Sequence, residues 1–534
     1  MFISNTISSF WSLFLIIGYL EIHYRLKYFP FSRYFKREPE IYADAPHRIG
    51  SGQDLPISLI VKDANKYPIT LKNVHIKIVN ENDVTLEIDY KYNKKLNELW
   101  FEEIYYIDHT KLSGNLKIWC KILFDRKDKK RTVINHNVKT SEVFPLITQV
   151  DKDPLPGSEF FLWGDLHYHS NYTEDFIEFG APLKSTKSAA TALGLDFIAI
   201  TDHSYDLDDK YGSWNESDPG LKKWNDSRHE IVNLNKSDST LLIPGEEIST
   251  RNKNGKIVHT LMLNNPNYIH GSGDSGEKPL KKYSEHTVEE VINMHTNDSL
   301  VLAAHPFYKF PKPHQILLNR GCWSEDDCNN PNLTGLQILN GDIQHILNQQ
   351  LNTWIKLLLS GNKIYIYAGN DAHGNFNRYH QANVPMLFTK QYDSYVLGKC
   401  RTGLINNCDL NVDDIVINLK AGKCIITNGP AIKTIINDKY SYGDTIRTSS
   451  LIIIFEFFSS KLYGFLREAI IYKGIFGASS EEIIDTNYWN KNSIYQLVNR
   501  EIKWGNDSGY IRIELKTDKE KYCLTNPIWI EPTI

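Results

Sequence analysis

The stretch that decides the fold is FFLWGDLHYHS, residues 160–170. It begins as an apolar run that is typical of a buried strand and ends on two histidines, His167 and His169. Residues two apart on an extended strand project from the same face, so both imidazoles are available to one metal ion. A His-x-His pair alone is weak evidence, because such pairs are more often coincidental than ligating. Its significance depends on the runs that follow it.

Five further apolar runs between residues 160 and 375 each carry a histidine or a carboxylate at or near an end. Helical patterns separate several of them, at residues 188–195, 287–296 and 346–361, which predicts a parallel α/β sheet or barrel. In such folds the strand ends meet at one face, so ligands distant in sequence converge. The residues are Asp202 and His203 in ITDHS, Glu246 and Glu247 in PGEEIS, His259 in KIVHTLML, His305 in LVLAAHP, and Asp371 and His373 in GNDAHG.

These residue types point to a metal-dependent hydrolase. Neutral imidazole and carboxylate oxygen suit Zn, Mn or Fe, and a carboxylate is able to bridge two ions. Two neighbouring ions lower the pKa of a bound water and stabilise the oxygens of a displacement. The chain has neither a GxSxG nucleophile motif nor a P-loop. We therefore expect two to three divalent ions and a small-molecule substrate.

The rest of the chain predicts β structure on both sides of this region. Alternating apolar runs separated by polar turns extend from residue 40 to about 146 and return after about 431, as in β-sandwiches. The segment DKDPLPGSE, residues 151–159, is typical of a linker. The predicted organisation is an apolar and basic segment at 1–39, a β-sandwich-like domain at 40–150, the α/β barrel at 151–430 and a C-terminal β domain at 431–534.

Charge and the N-terminal segment bear on partners and location. The 534 residues carry a formal net charge of −4, which argues against a nucleic-acid partner. Residues 10–20 are apolar but shorter than the roughly 20 residues that span a bilayer. They also lack the flanks of a secretory signal. Residues 8–22 are consistent either with weak membrane association or with a helix packed on the protein itself. A cytoplasmic or membrane-associated location is slightly favoured, and the oligomeric state is left open.

The ordered set DLHYHS, ITDHS, PGEEIS, a later histidine, AAHP and GNDAHG resembles the polymerase and histidinol phosphatase (PHP) superfamily across residues 160–375. The extended versions TEDFIEFGAP and ITDHSYDLDD, with ITNGP at 426–430 and TNPIWI at 525–530, are similar to its CehA/McbA branch. This resemblance implies a distorted (β/α)7 barrel, here flanked by the two β domains.

The resemblance also implies up to three metal ions and their ligands. The implied ligands are His167, His169 and Asp371 for the first ion, His259 and His305 for the second, Glu247 between these two, and His203, His373 and an early carboxylate for the third.

Some roles stay open at this stage. Spacing favours Glu174 as the early carboxylate, yet Asp175 is adjacent, so both remain candidates. Asp202 is expected to assist catalysis by orienting a histidine rather than by binding metal. His203 or His305 is a candidate for protonating the leaving group if the third ion is absent.

Three functions compete. The first is a phosphoesterase acting on a small phosphorylated molecule, and the second is a carboxyl-ester, carbamate or amide hydrolase. The third, of another class, is a non-catalytic binding or regulatory protein. Lysine and arginine in the pocket wall would favour the phosphoester, and aromatic side chains the neutral ester. The sequence offers both near the motifs, for example Arg251 and Lys309 beside Phe307 and Tyr308.

Overall fold

A computed structural model describes residues 19–20, 38–138, 143–175, 178–213, 216–237, 239–273, 281–310, 312–342, 344–383 and 388–532. Strand accounts for 44% of the chain and helix for 14%. Within the described residues, Tyr19–Leu20 (β1) is the one part of the predicted membrane segment whose backbone is seen. It pairs antiparallel with Glu178–Phe179 (β12). No helix among the described residues is long and apolar enough to cross a bilayer.

Residues 40–150 form two facing sheets. One has the strand order β3-β10-β8-β5-β6, with β9 on β8, and the other has the order β2-β4-β7. Their inward side chains, such as Ile57, Leu59, Ile76 and Ile118, form one core. The strands are Glu40–Asp44 (β2), Arg48–Ile49 (β3), Leu55–Lys62 (β4), Ile69–Val79 (β5), Thr85–Leu96 (β6), Trp100–Ile107 (β7), Asn115–Arg126 (β8), Lys129–Ile134 (β9) and Leu146–Val150 (β10).

The central strands belong to one large sheet with the order β18-β17-β16-β15-β14-β13-β11-β22-β23, which then continues into C-terminal strands. The sheet curls so that its end strand β18 lies beside β11. Its central strands are Phe161–His169 (β11), Phe197–Ile200 (β13), Leu241–Arg251 (β14), Ile257–Leu263 (β15), Leu300–Ala303 (β16), Gly335–Asn340 (β17), Tyr365–Gly369 (β18), Ala372–His373 (β19), Arg401–Ile405 (β22) and Cys424–Thr427 (β23). Tyr379–Asn383 (β20) and Phe388–Tyr392 (β21) form a separate hairpin.

The prediction of a distorted (β/α)7 barrel is wrong, because the strands form a curled, open and mixed sheet. β15 runs antiparallel to both β14 and β16. A short turn joins β14 to β15, where a barrel unit would have a crossover helix. On its other edge β11 pairs antiparallel with β22. An apolar run has the same appearance in sequence whether a hairpin or a crossover follows it, so the pattern did not distinguish the two architectures.

Helices are few and most cover the curled sheet. Leu183–Leu193 (α1) ends at Gly194, which has a positive φ of 82° and closes the last turn. Val288–Asn293 (α4) begins with a capping box between Thr287 and Glu290, in which each side chain satisfies a free backbone N–H. The other helices are Ser204–Leu207 (α2), Lys222–Leu234 (α3), Lys312–Leu317 (α5), Gln344–Leu359 (α6) and Val412–Lys420 (α7).

The C-terminal strands form a second pair of facing layers. β31, β30, β27 and β28 extend the central sheet, and β24-β26-β29 lie against them. Ile453, Phe455 and Phe457 from the second layer pack with Ile471 and Ile513 from the first. The strands are Ala431–Ile436 (β24), Thr445–Arg447 (β25), Ser450–Phe458 (β26), Leu466–Ile475 (β27), Glu482–Tyr488 (β28), Tyr495–Lys503 (β29), Gly509–Thr517 (β30), Tyr522–Thr525 (β31) and Ile528–Glu531 (β32).

Candidate metal centre

The strand ends of the curled sheet bring the histidines of the sequence motifs together. They form three overlapping groups in which the potential ligand atoms all lie within 4.8 Å of one another. The groups are His167, His169, Glu247 and Asp371; Glu247, His259 and His305; and His169, His203 and His373. Glu247 and His169 each belong to two groups, so the three share one continuous centre.

The first group has the spacing of a tetrahedral ligand set. His167 Nε2 and His169 Nε2 are 3.2 Å apart. Asp371 Oδ1 lies 3.4 and 3.2 Å from these two nitrogens, and the Glu247 oxygens lie 3.4 Å from each. Two atoms about 2.1 Å from a tetrahedral ion are themselves about 3.4 Å apart. The four side chains therefore fit an ion held between them.

The second group shares Glu247. Its Oε1 accepts from His259 Nδ1 at 2.5 Å and lies 3.3 Å from His305 Nε2. Glu247 faces Leu261 across the β14–β15 ladder, and His259 faces Ser249. Residues that pair directly, and residues two apart, share a face of a sheet, so Glu247 and His259 project to the same side. The register thus places this carboxylate between the first and second groups.

The third group is completed by a carboxylate that the sequence analysis missed. Glu178 Oε1 lies 3.2 Å from His373 Nε2 and 4.0 Å from His203 Nε2. His203 Nδ1 and His373 Nε2 are buried and lack an aligned hydrogen bond. These imidazole nitrogens approach carboxylate oxygens without forming hydrogen bonds. Such an arrangement is expected where nitrogen and oxygen ligands surround a cation.

Glu174 and Asp175, the candidates from spacing, do not join the described histidine groups. Glu174 lies between two lysines, 3.2 Å from Lys62 Nζ and 3.8 Å from Lys223 Nζ. Asp175 accepts a hydrogen bond from the Glu178 backbone at 2.7 Å. The chain folds back after Asp175. Glu178, rather than Glu174 or Asp175, therefore lies beside the histidines.

Hydrogen bonds fix the orientation of the first two histidines. His167 Nδ1 donates to Gln337 Oε1 at 2.9 Å, which directs its Nε2 into the centre. His169 Nδ1 lies 3.2 Å from Thr173 Oγ1, which donates to Asp202 Oδ1 at 2.9 Å. Asp202 also accepts from the Ser170 backbone and hydroxyl. Asp202 is thus an orienting residue, since it reaches the centre only through Thr173.

Two ligand positions have a backbone conformation that is unusual for residues with a side chain. His305 has a φ of 31° and Asp371 a φ of 52°. Such conformations carry a cost and cluster at functional sites. Gly369, two residues before Asp371, is required for close approach, because an added Cβ would lie 2.6 Å from His167 Cβ. The strain and the glycine together hold Asp371 against β11.

Charge at the centre is strongly coupled. Burial opposes protonation of His167, yet Asp371 and Glu247 raise its pKa to about 9. Burial likewise opposes protonation of His373, yet Glu178 and Asp371 raise its pKa to about 10. Burial, with His373 and His203, lowers the pKa of His169 to about 3. Burial also lowers the pKa of His305. The carboxylates thus attract positive charge to buried positions, as a cation site requires.

The rim beside the second group combines a cation with aromatic rings. Arg320 Nη1 contacts His259 Nε2, and the guanidinium lies 4.7 Å from the centre of the Phe310 ring. Phe310 packs edge-on against Tyr308 at 4.9 Å and against His305 at 6.4 Å. Arg320 was not among the cations that the sequence placed near the motifs. It follows β15 by more than fifty residues, so only the fold brings it to His259.

The helix α3 supports the centre from the outside. Trp224 Nε1 donates to Glu246 Oε1 at 2.9 Å, and Arg228 Nη2 donates to the same oxygen at 3.3 Å. The other oxygen, Oε2, accepts from the Ile269 backbone at 3.2 Å. Glu246 is therefore turned away from the histidines and anchors the strand that carries Glu247.

Comparison with known proteins finds no matching family model and no curated relative. A glycosyl hydrolase family 2 member from Bacteroides cellulosilyticus aligns at 10% identity and a TM-score of 0.18, over 92% of this chain and 64% of that one. A β-glucuronidase from Parabacteroides merdae aligns at 7% identity and 0.19, over 92% and 64%. The chain spans less than two thirds of these proteins, and such TM-scores do not indicate a shared fold.

Proposed function

We propose that this protein is a metal-dependent hydrolase that holds two to three divalent ions of Zn, Mn or Fe. The observation that carries the proposal is the set of 3.2–3.4 Å separations among His167, His169, Glu247 and Asp371. The resemblance of the ordered motifs to the PHP superfamily supports the same chemistry.

Each residue has a distinct part in this proposal. His167, His169 and Asp371 would hold the first ion, His259 and His305 the second, and Glu247 would bridge them. His203, His373 and Glu178 would hold a third. When bound, the ions supply Lewis acidity and lower the pKa of water, so that attack on the substrate occurs at neutral pH. Gln337 and Thr173 keep the histidine nitrogens directed at the ions.

A phosphoester is the preferred substrate class. The guanidinium of Arg320 adds a fixed positive charge beside the second group, and arginine binds phosphate oxygens through paired N–H donors. The alternative, a carboxyl ester or carbamate, is supported by Tyr308 and Phe310, whose rings offer an apolar wall beside His305. The proposed substrate is therefore a small phosphorylated molecule that has an apolar portion next to the phosphate.

The test combines metal analysis with a paired assay on p-nitrophenyl phosphate and 1-naphthyl acetate. We expect two to three ions per chain and phosphatase activity that His167→Ala and Glu247→Gln abolish. His229→Ala and Glu289→Gln are the matched controls, because both residues are exposed outside the centre. The rank of the two substrates decides between phosphoester and ester. A protein that takes up no metal and cleaves neither substrate would instead be a binding module.

A further inference from the structure

A buried arginine lies apart from the metal centre and lacks a counterion. Arg401, on β22, is 2% exposed. Its Nη1 donates to the carbonyl of Gly398 at 3.0 Å, whereas Nε and Nη2 have no hydrogen-bond partner in the part of the chain that the structure describes. Among the described residues, no carboxylate forms an ion pair with it. Burying a guanidinium without a compensating charge is strongly unfavourable, so the fold needs something at this position.

Apart from the Gly398 carbonyl, the described surroundings of Arg401 supply aromatic rings and a donor rather than acceptors. The guanidinium carbon lies 5.7 Å from the centre of the Trp163 ring and 5.1 Å from that of Tyr463. These cation–π contacts offset part of the desolvation. The Trp163 Nε1, however, is itself buried without a hydrogen-bond partner. These two neighbouring side chains thus present N–H groups, Arg401 Nε and Nη2 and Trp163 Nε1, that no described residue accepts.

The nearby carboxylates are committed elsewhere. Asp165 accepts hydrogen bonds from Asn370 and from the Gly398 backbone. Asp342 pairs with Lys521 at 2.6 Å. Neither carboxylate is therefore in a position to neutralise Arg401. Among the described residues no carboxylate is left to balance the guanidinium, so an anion from solution fits this position.

We propose that Arg401 binds a small inorganic anion of the halide class, chloride under physiological conditions. A monatomic anion accepts several N–H groups at once and neutralises the guanidinium, whereas a water molecule satisfies donors without removing the charge. Because Arg401 is buried, the position suits a small anion better than a large organic one. This site joins the central sheet to Tyr463 of the C-terminal layers, so the anion stabilises the fold and does not depend on the proposed hydrolase activity.

The test measures thermal stability of the full chain at constant ionic strength while chloride replaces gluconate. We expect the unfolding midpoint to rise with the logarithm of chloride concentration, because the ion binds only the folded state. Bromide should replace chloride, and gluconate should not. Arg401→Met should abolish this dependence, whereas Arg467→Met, which removes a surface ion pair to Asp518, should retain it.

Bromide soaks of wild-type crystals keep the proposal testable if Arg401→Met does not fold. Anomalous density within hydrogen-bonding distance of Arg401 Nε or Nη2 would support the anion site. Equal midpoints in chloride and gluconate, or crystals without bromide near Arg401, would overturn it. The aromatic rings and water would then be sufficient to accommodate the charge.

Discussion

The carboxylate at the third histidine group offers the sharpest prediction. Glu178→Gln keeps the size of the side chain and removes its charge, 3.2 Å from His373 Nε2 and 4.0 Å from His203 Nε2. The distances within the first group do not involve Glu178. We therefore expect this variant to lose the ion held by His203 and His373 and to keep the ion held by His167 and His169.

The pKa of His373 sets the size of the effect. The carboxylates raise this pKa from 6.5 to about 10 against the opposing effect of burial, which corresponds to roughly 5 kcal/mol. Glu178 contributes most among the three carboxylates, so its share is on the order of 1–2 kcal/mol for one positive charge. A divalent ion carries twice that charge. We expect about 3 kcal/mol of lost affinity, or roughly 100-fold weaker binding at this group.

Calorimetric titration of metal-free protein with zinc measures this loss directly. Glu174→Gln is the matched control, because Glu174 pairs with Lys62 and Lys223 instead of the histidines. Circular dichroism establishes that both variants fold. A Glu178→Gln protein that binds every ion with wild-type affinity would refute the reasoning. Loss of the third ion in Glu174→Gln would also refute it, because that result would make Glu174, the residue favoured by spacing, the ligand of the third ion.

Three further predictions concern the rim, the charge of the centre and the approach of two strands. Arg320→Gln should lower kcat/KM for p-nitrophenyl phosphate by roughly 10- to 100-fold, which is the range for a lost charged hydrogen bond. Cleavage of 1-naphthyl acetate should change little. Equal losses on both substrates would contradict phosphate recognition by Arg320. The pKa values of His167 (about 9) and His373 (about 10) lie above 6.5, so their stabilising contribution is full below pH 6.5 and is lost as the pH rises through 9 to 10. The unfolding midpoint of chelator-treated protein should therefore fall over that window, and a flat profile would contradict the assigned charges. Gly369→Ala should cost about 1–3 kcal/mol by overpacking and reduce zinc content, whereas wild-type stability in a denaturant titration would show that β18 and β11 have room to separate.

Some members of the histidine groups were predictable because the spacing of residues on a strand determines which way their side chains point. His167 and His169 are two apart on a strand, and Glu247 and His259 occupy neighbouring strands with the register of a tight hairpin. The structure brings these four side chains into the groups that the sequence analysis anticipated. The spacing of His167 and His169 is a property of a single strand, so the sequence alone carries it. Glu247 and His259 were grouped through the family resemblance, because the sequence did not predict their hairpin.

Glu178, Arg320 and the sheet architecture were not predictable in the same way. Glu178 reaches the histidines because the chain reverses between Glu174 and Phe179 and then passes close to the His169 carbonyl at Gly180. Linear spacing from His169 does not reveal such a reversal. Arg320 meets His259 only through the loop that follows β16. The barrel prediction failed because apolar runs do not show whether a hairpin or a crossover follows β14. They also do not show that β11 pairs with the distant strand β22.

The most direct test of the central claim is a crystal structure of zinc-loaded protein with anomalous data at the zinc edge. The account predicts one peak enclosed by His167, His169, Asp371 and Glu247, and a second between Glu247, His259 and His305. An alternative group of Asp54, Asp108 and His109 lies on the surface of the N-terminal layers. Peaks confined to that surface group, or a histidine centre that stays free of zinc at saturating concentration, would contradict the account.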